Sequence, residues 1–119
     1  MKVVAIVQAR MGSVRFPAKV MQHICGIPMI GLLLERLAKC QLVDQIVLAT
    51  SEERCNEELV NYVSGLGYSV YRGSEYDVLD RYYKTSVDTN AEVIVRVTGD
   101  CPLIDPSIVD EVIEKFLEK

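Results

Sequence analysis

Lys2-Val-Val-Ala-Ile-Val-Gln-Ala-Arg-Met-Gly-Ser-Val-Arg-Phe-Pro-Ala-Lys19 is the stretch on which the fold turns. Its first part, Lys2 to Gln8, is a short apolar run rich in β-branched residues. No polar residue alternates through that run, which is the pattern of a strand buried on both faces in a parallel sheet. Its second part is polar, contains Gly12 and Ser13, and carries Arg10, Arg15 and Lys19. Open parallel sheets bind ligands beyond the carboxyl ends of their strands, so a cationic loop directly after a buried strand predicts a site for an anion.

The same alternation recurs downstream. Pro28 opens a predicted helix over Met29 to Lys39, with Ile30, Leu33, Leu34 and Leu37 at helical spacing. Gln45 to Thr50 reads as a second buried strand, and Ser51 as an N-cap with Glu52 and Glu53 in the first turn. Leu59, Val60, Val63 and Leu66 then form one helix face, closed by Gly65 or Gly67. Tyr68 to Arg72 is a third strand, and Asp77 to Thr89 a helix with Val78, Leu79, Tyr82 and Val87 on one stripe. Glu92 to Val97 is a fourth strand, and Asp105-Pro106 caps a last helix whose Ile108, Val109, Val112, Ile113 and Phe116 share one side. Four strand–helix units in succession predict an α/β fold: a three-layer, mainly parallel, Rossmann-like sheet. With 119 residues, half of them apolar and a quarter charged, and no linker or repeat, residues 1–119 read as one domain's worth of chain.

Composition narrows the function classes. Residues 1–34 hold four bases and no acid, whereas residues 35–119 hold nine bases and seventeen acids. A net charge of −4 argues against general nucleic-acid binding, and the acid-free opening points instead to a small anionic ligand. The longest apolar stretch, Ile27 to Leu34, falls far short of the roughly 20 residues that span a bilayer, so no membrane partner is expected. Met1-Lys2 runs straight into Val3 to Val7 with no small-residue cleavage site, which predicts a cytoplasmic protein. The cysteines at 25, 40, 55 and 101 form no C-x-x-C pair and His23 has no partner at helical spacing. Reduced, packed cysteines and a structural histidine are expected rather than a zinc centre.

The first loop pairs a possible Gly12-Ser13 anion nest with three cations. It is neither a Walker A loop, lacking Gly-Lys-Ser/Thr, nor a dinucleotide fingerprint, lacking G-x-G-x-x-G. A solvated basic loop has the same composition, but the position directly after the first strand favours phosphate contact by Arg15 and Lys19. After the fourth strand, Asp100 stands beside Gly99 and Pro102, suited either to a turn or to a carboxylate that reaches a Mg²⁺ bridging phosphates.

Three ordered motifs resemble the sugar-activating cytidylyltransferases, most closely the spore coat polysaccharide biosynthesis protein F type, and more distantly the acylneuraminate and Kdo enzymes. They are Val7 to Lys19, Arg72-Gly-Ser-Glu75 with Asp77 to Tyr82, and Val95 to Pro106. The resemblance implies that Arg10, Gly12, Ser13, Arg15 and Lys19 hold the triphosphate of CTP, with Arg15 and Lys19 acting on the reacting phosphate. It implies further that Thr50, Ser51, Gly73 and Ser74 line the base and ribose, that Arg81 supports that pocket, and that Asp100 ligates Mg²⁺. One departure is Ala18, where the family usually has Gly; if that position needs a positive φ, the change costs roughly 1 kcal/mol.

By the same resemblance, the hydroxyl of an acidic sugar attacks the α-phosphate of CTP and pyrophosphate leaves. Domains of this family are about twice this length, so the chain reads as the nucleotide-binding half, with the acceptor-sugar site and a second metal carboxylate expected beyond Lys119. An inactive nucleotide-binding module is the competing reading, and a bare sheet edge predicts a homodimer. A phospho-acceptor signalling domain would need acids after the first strand, where this chain is basic.

Overall fold

The computed structural model describes residues 2–9, 21, 23–24, 26–52, 54–73, 78–98 and 105–118. In chain order these form β1 (Val3–Gln8), a small antiparallel pair β2 (His23–Ile24) and β3 (Ile27–Pro28), α1 (Met29–Leu37), β4 (Gln45–Ser51), α2 (Glu57–Gly65), β5 (Ser69–Gly73), α3 (Val78–Thr89), β6 (Val93–Thr98) and α4 (Pro106–Leu117). The main sheet has the order β5-β4-β1-β6 and is parallel throughout. From β1 the chain steps outward to β4 and β5, then returns to place β6 on the other side of β1, so strand order reverses at the central strand.

Val3 to Val7 are buried without exception, as the unbroken apolar run requires. One sheet face is covered by α1, α2 and α4, whose Ile30, Leu33, Leu37, Leu59, Val63 and Ile113 pack with Val7, Leu48 and Val97. The other face is covered by α3, where Tyr82 seals Val4, Ile6, Val47 and Ala49. These are the three layers and four strand–helix units that the sequence predicts. Gly31 on α1 leaves room for the Tyr62 side chain of α2, since a Cβ there would run into the Tyr62 hydroxyl.

Several boundaries differ from expectation, each for a physical reason. Ser51 is not the N-cap of α2: it continues β4 opposite Gly73, and a 3-10 turn at Arg54–Asn56 intervenes. The first-turn acids of α2 are therefore Glu57 and Glu58 rather than Glu52 and Glu53. Leu66 falls past the end of α2 and Val87 lies on the solvent side of α3, so both are exposed. The apolar stripe of α4 is divided, with Val109 and Ile113 buried and Ile108, Val112 and Phe116 each 58–63% exposed. A helix lying over the edge strand β6 has sheet beneath only part of its circumference. The turn signals before α1 resolve into the β2–β3 hairpin, with Gly26 at φ +83° in the left-handed region that glycine favours.

The cap of α4 is as read: Asp105 Oδ1 accepts from Ser107 N at 2.9 Å and from Ser107 Oγ at 2.8 Å. Those bonds hold the Asp105 carboxyl below the usual carboxylate range. Asp110 ties α4 to the turn after α1, accepting from Gln41 N and Leu42 N at 2.9 Å each. Cys40 is a buried free thiol, pushed above its ordinary pKa by burial and then by Asp110.

Candidate functional site

Parallel register brings four strand ends to one rim. Gln8 lies opposite Ala49 on one side and Thr98 on the other, Thr50 lies opposite Arg72, and Ser51 opposite Gly73. The chain that follows Ala9 and the chain that follows Thr98 thus depart from neighbouring strands at the reversal in strand order. That is the place where open parallel sheets take their ligands.

The β4–β5 side of the rim is fixed by hydrogen bonds from side chains. Asn56 Nδ2 donates to Ser51 Oγ at 2.6 Å, and Arg72 Nε donates to the Ser51 carbonyl at 3.1 Å. Arg72 Nη1 also meets Glu57 Oε1 at 2.6 Å, which fastens the start of α2 to the end of β5. Glu57 is exposed, so the ion pair adds little stability by itself and serves mainly to orient Arg72.

Behind the rim stands α3. Arg81 is wholly buried, and its aliphatic stem passes Gly73 so closely that a Cβ there would lie 3.1 Å from Arg81 Cγ and 3.1 Å from Tyr71 Cε1. Glycine at 73 makes room for this stem. Arg96 from β6 stacks 4.4 Å over the Tyr82 ring, a cation–π contact that joins the edge strand to the same helix.

Two rim atoms, Gln8 Oε1 and Thr50 Oγ1, are buried and meet no hydrogen-bond partner among the described residues. Strand alternation sets them on opposite faces: Gln8 follows Val4 and Ile6 toward α3, and Thr50 follows Leu48 toward α1 and α2. A buried polar atom without a partner carries a desolvation cost, so each marks a place that a donor from outside could satisfy.

Of the residues singled out in the sequence, Thr50, Ser51, Gly73 and Arg81 come together on the β4–β5 side of this rim and on the helix behind it. Thr50 and Ser51 are wholly buried there. Arg10, Gly12, Ser13, Arg15, Lys19, Ser74 and Asp100 lie outside the described residues. Among the described residues no group of three or more His, Cys, Asp or Glu could hold a metal ion. None of the described helices is long and apolar enough to cross a membrane. Sequence reasoning missed Gln8, whose signal was a polar residue closing an otherwise apolar strand. It also missed Asn56, which had no signal because its bond to Ser51 depends on the intervening turn.

The family model described as cytidylyltransferase matches residues 4–119. The spore coat polysaccharide biosynthesis protein SpsF of Bacillus subtilis is 35% identical over 118 residues, covering 96% of this chain and 49% of that protein. A solved cytidylyltransferase from Leptospira borgpetersenii superposes with a TM-score of 0.96 at 39% identity, over 100% of this chain and 50% of its own. A solved CMP:2-keto-3-deoxy-manno-octonic acid synthetase, complexed with CTP, superposes with a TM-score of 0.86 at 26% identity, over 100% of this chain and 48% of its own. The chain spans about half the length of the curated relatives it matches.

Proposed function

This chain belongs to the cytidylyltransferase family, and from that premise we propose that it is the nucleotide-binding half of a CTP-using nucleotidyltransferase. The observation that carries the reading is the likeness, over the whole of this chain and 48% of the other, to a synthetase complexed with CTP, joined to a polar rim at the reversal of strand order. In the proposed reaction a hydroxyl of an acidic sugar attacks the α-phosphate of CTP and gives up its proton to solvent. The bond from that phosphorus to the bridging oxygen breaks, and pyrophosphate carries away the electron pair. The task of the protein in such a transfer is positioning and charge neutralisation.

Arg10, Arg15 and Lys19 neutralise the phosphate chain, with Arg15 and Lys19 at the reacting phosphate, and the Gly12-Ser13 amides add donors. Thr50, Ser51, Gly73 and Ser74 line the base and ribose, with Arg81 behind Gly73. Asp100 would be one protein ligand of Mg²⁺, an ion that takes oxygen ligands and completes its shell with phosphates and water. When bound, the ion would neutralise charge on the phosphates.

Calorimetric titration of CTP into the chain, with and without Mg²⁺, tests the reading. Saturable binding that Mg²⁺ strengthens is expected, with the enhancement lost in Asp100→Asn, which keeps shape and removes charge. Absence of CTP binding under both conditions contradicts the proposal, and an Asp100→Asn variant with the full Mg²⁺ enhancement reduces that carboxylate to a turn residue.

A further inference from the structure

We propose that Gln8 selects the nucleobase, its Oε1 accepting a hydrogen bond from the exocyclic amine of cytosine. The inference deepens the CTP reading and rests on it. Gln8 closes the central strand of the sheet, opposite Ala49 and Thr98, at the reversal in strand order where a ligand is expected. Its Oε1 is buried and finds no donor among the described residues. Evolution of a stable fold would fill such a place with an apolar side chain, as at Val4 and Ile6 on the same face, unless the acceptor had a use.

The chemistry of a nucleotide decides which of its groups fits. Phosphate oxygens accept hydrogen bonds and would repel Oε1, and their counter-charges lie in the Arg10 to Lys19 segment. Ribose hydroxyls can donate, but they are strongly hydrated, whereas Gln8 is flanked by Ala9 at 5% exposure and by the fully buried Ala49. The flat, largely apolar base belongs in that setting. On its edge cytosine presents an amine where uracil presents a carbonyl oxygen, so an acceptor at this place favours CTP over UTP.

The test compares the dissociation constants of CTP and UTP for the wild-type chain, Gln8→Leu and Gln8→Glu, with thermal melts to establish that each variant is folded. The wild type is expected to prefer CTP by roughly tenfold or more. Gln8→Leu should bring the two affinities within about threefold of each other by weakening CTP while leaving UTP nearly unchanged. Gln8→Glu keeps an acceptor and should keep the preference. Gln8→Leu with an unaltered CTP-to-UTP ratio overturns the proposal, as does an equal loss for both nucleotides, which would mark a ribose contact. A wild type that binds CTP and UTP equally overturns this inference alone; one that binds neither overturns the CTP reading with it.

Discussion

Arg15 stands in a segment with no acid between Met1 and Leu34, five residues after Arg10 and four before Lys19. A guanidinium there has no carboxylate nearby in sequence to neutralise it, and a triphosphate is the natural counter-ion. Arg15→Ala should weaken CTP binding by about 1–3 kcal/mol, the range for a charge-assisted hydrogen bond. Calorimetry on the folded variant measures it, and unchanged affinity removes Arg15 from the triphosphate site. At this scale the sequence was informative about charge and silent about burial. The cations of the first loop could be read directly, whereas the wholly buried state of the polar residues Thr50, Ser51 and Arg81 emerges only in the packed fold. Gln8 illustrates the same limit: that its acceptor is buried and meets no partner among the described residues is a property of the folded rim.

The helices show how far periodicity reaches. All four were legible, since apolar residues at helical spacing followed each strand, and the Asp105-Pro106 start of α4 was legible from its capping chemistry. The depth of each apolar stripe was not. A helix over the middle of a sheet buries a broad arc, while α4 over edge strand β6 buries Val109 and Ile113 and leaves Ile108, Val112 and Phe116 exposed. Of these, Ile108 and Val112 border a groove of about 290 Å³ lined also by Val95 and Val97. Ile113→Ala should therefore cost about 2–5 kcal/mol of stability through the cavity it leaves. Ile108→Ala should stay within about 0.5 kcal/mol of wild type. Urea denaturation of both variants makes the comparison, and equal losses would mean that the stripe is covered along its whole width. The boundary at Ser51 was misread for a related reason. Serine followed by two glutamates signals an N-cap locally, yet pairing with Gly73 extends the strand and postpones the helix.

At the scale of the whole molecule, the parallel β5-β4-β1-β6 sheet gathers residues from distant parts of the chain to one rim and sends the opposite strand ends to the other side. That opposite end is structural: Asp44 Oδ2 accepts from Val3 N at 2.7 Å, Lys2 Nζ donates to the Thr89 carbonyl at 2.6 Å, and a groove of about 310 Å³ lies between Cys40, Asp44 and Tyr68. The two ends therefore make distinct forecasts about where a nucleotide is held. A titration of the isotopically labelled chain with CTP and Mg²⁺, followed by backbone amide chemical shifts, separates them most directly. Binding at the carboxyl rim predicts the largest changes at Gln8, Ala9, Thr50, Ser51 and Gly73, with Asp44, Gly67 and Tyr68 nearly still. Changes concentrated on Asp44, Gly67 and Tyr68, or none at saturating CTP, would contradict it.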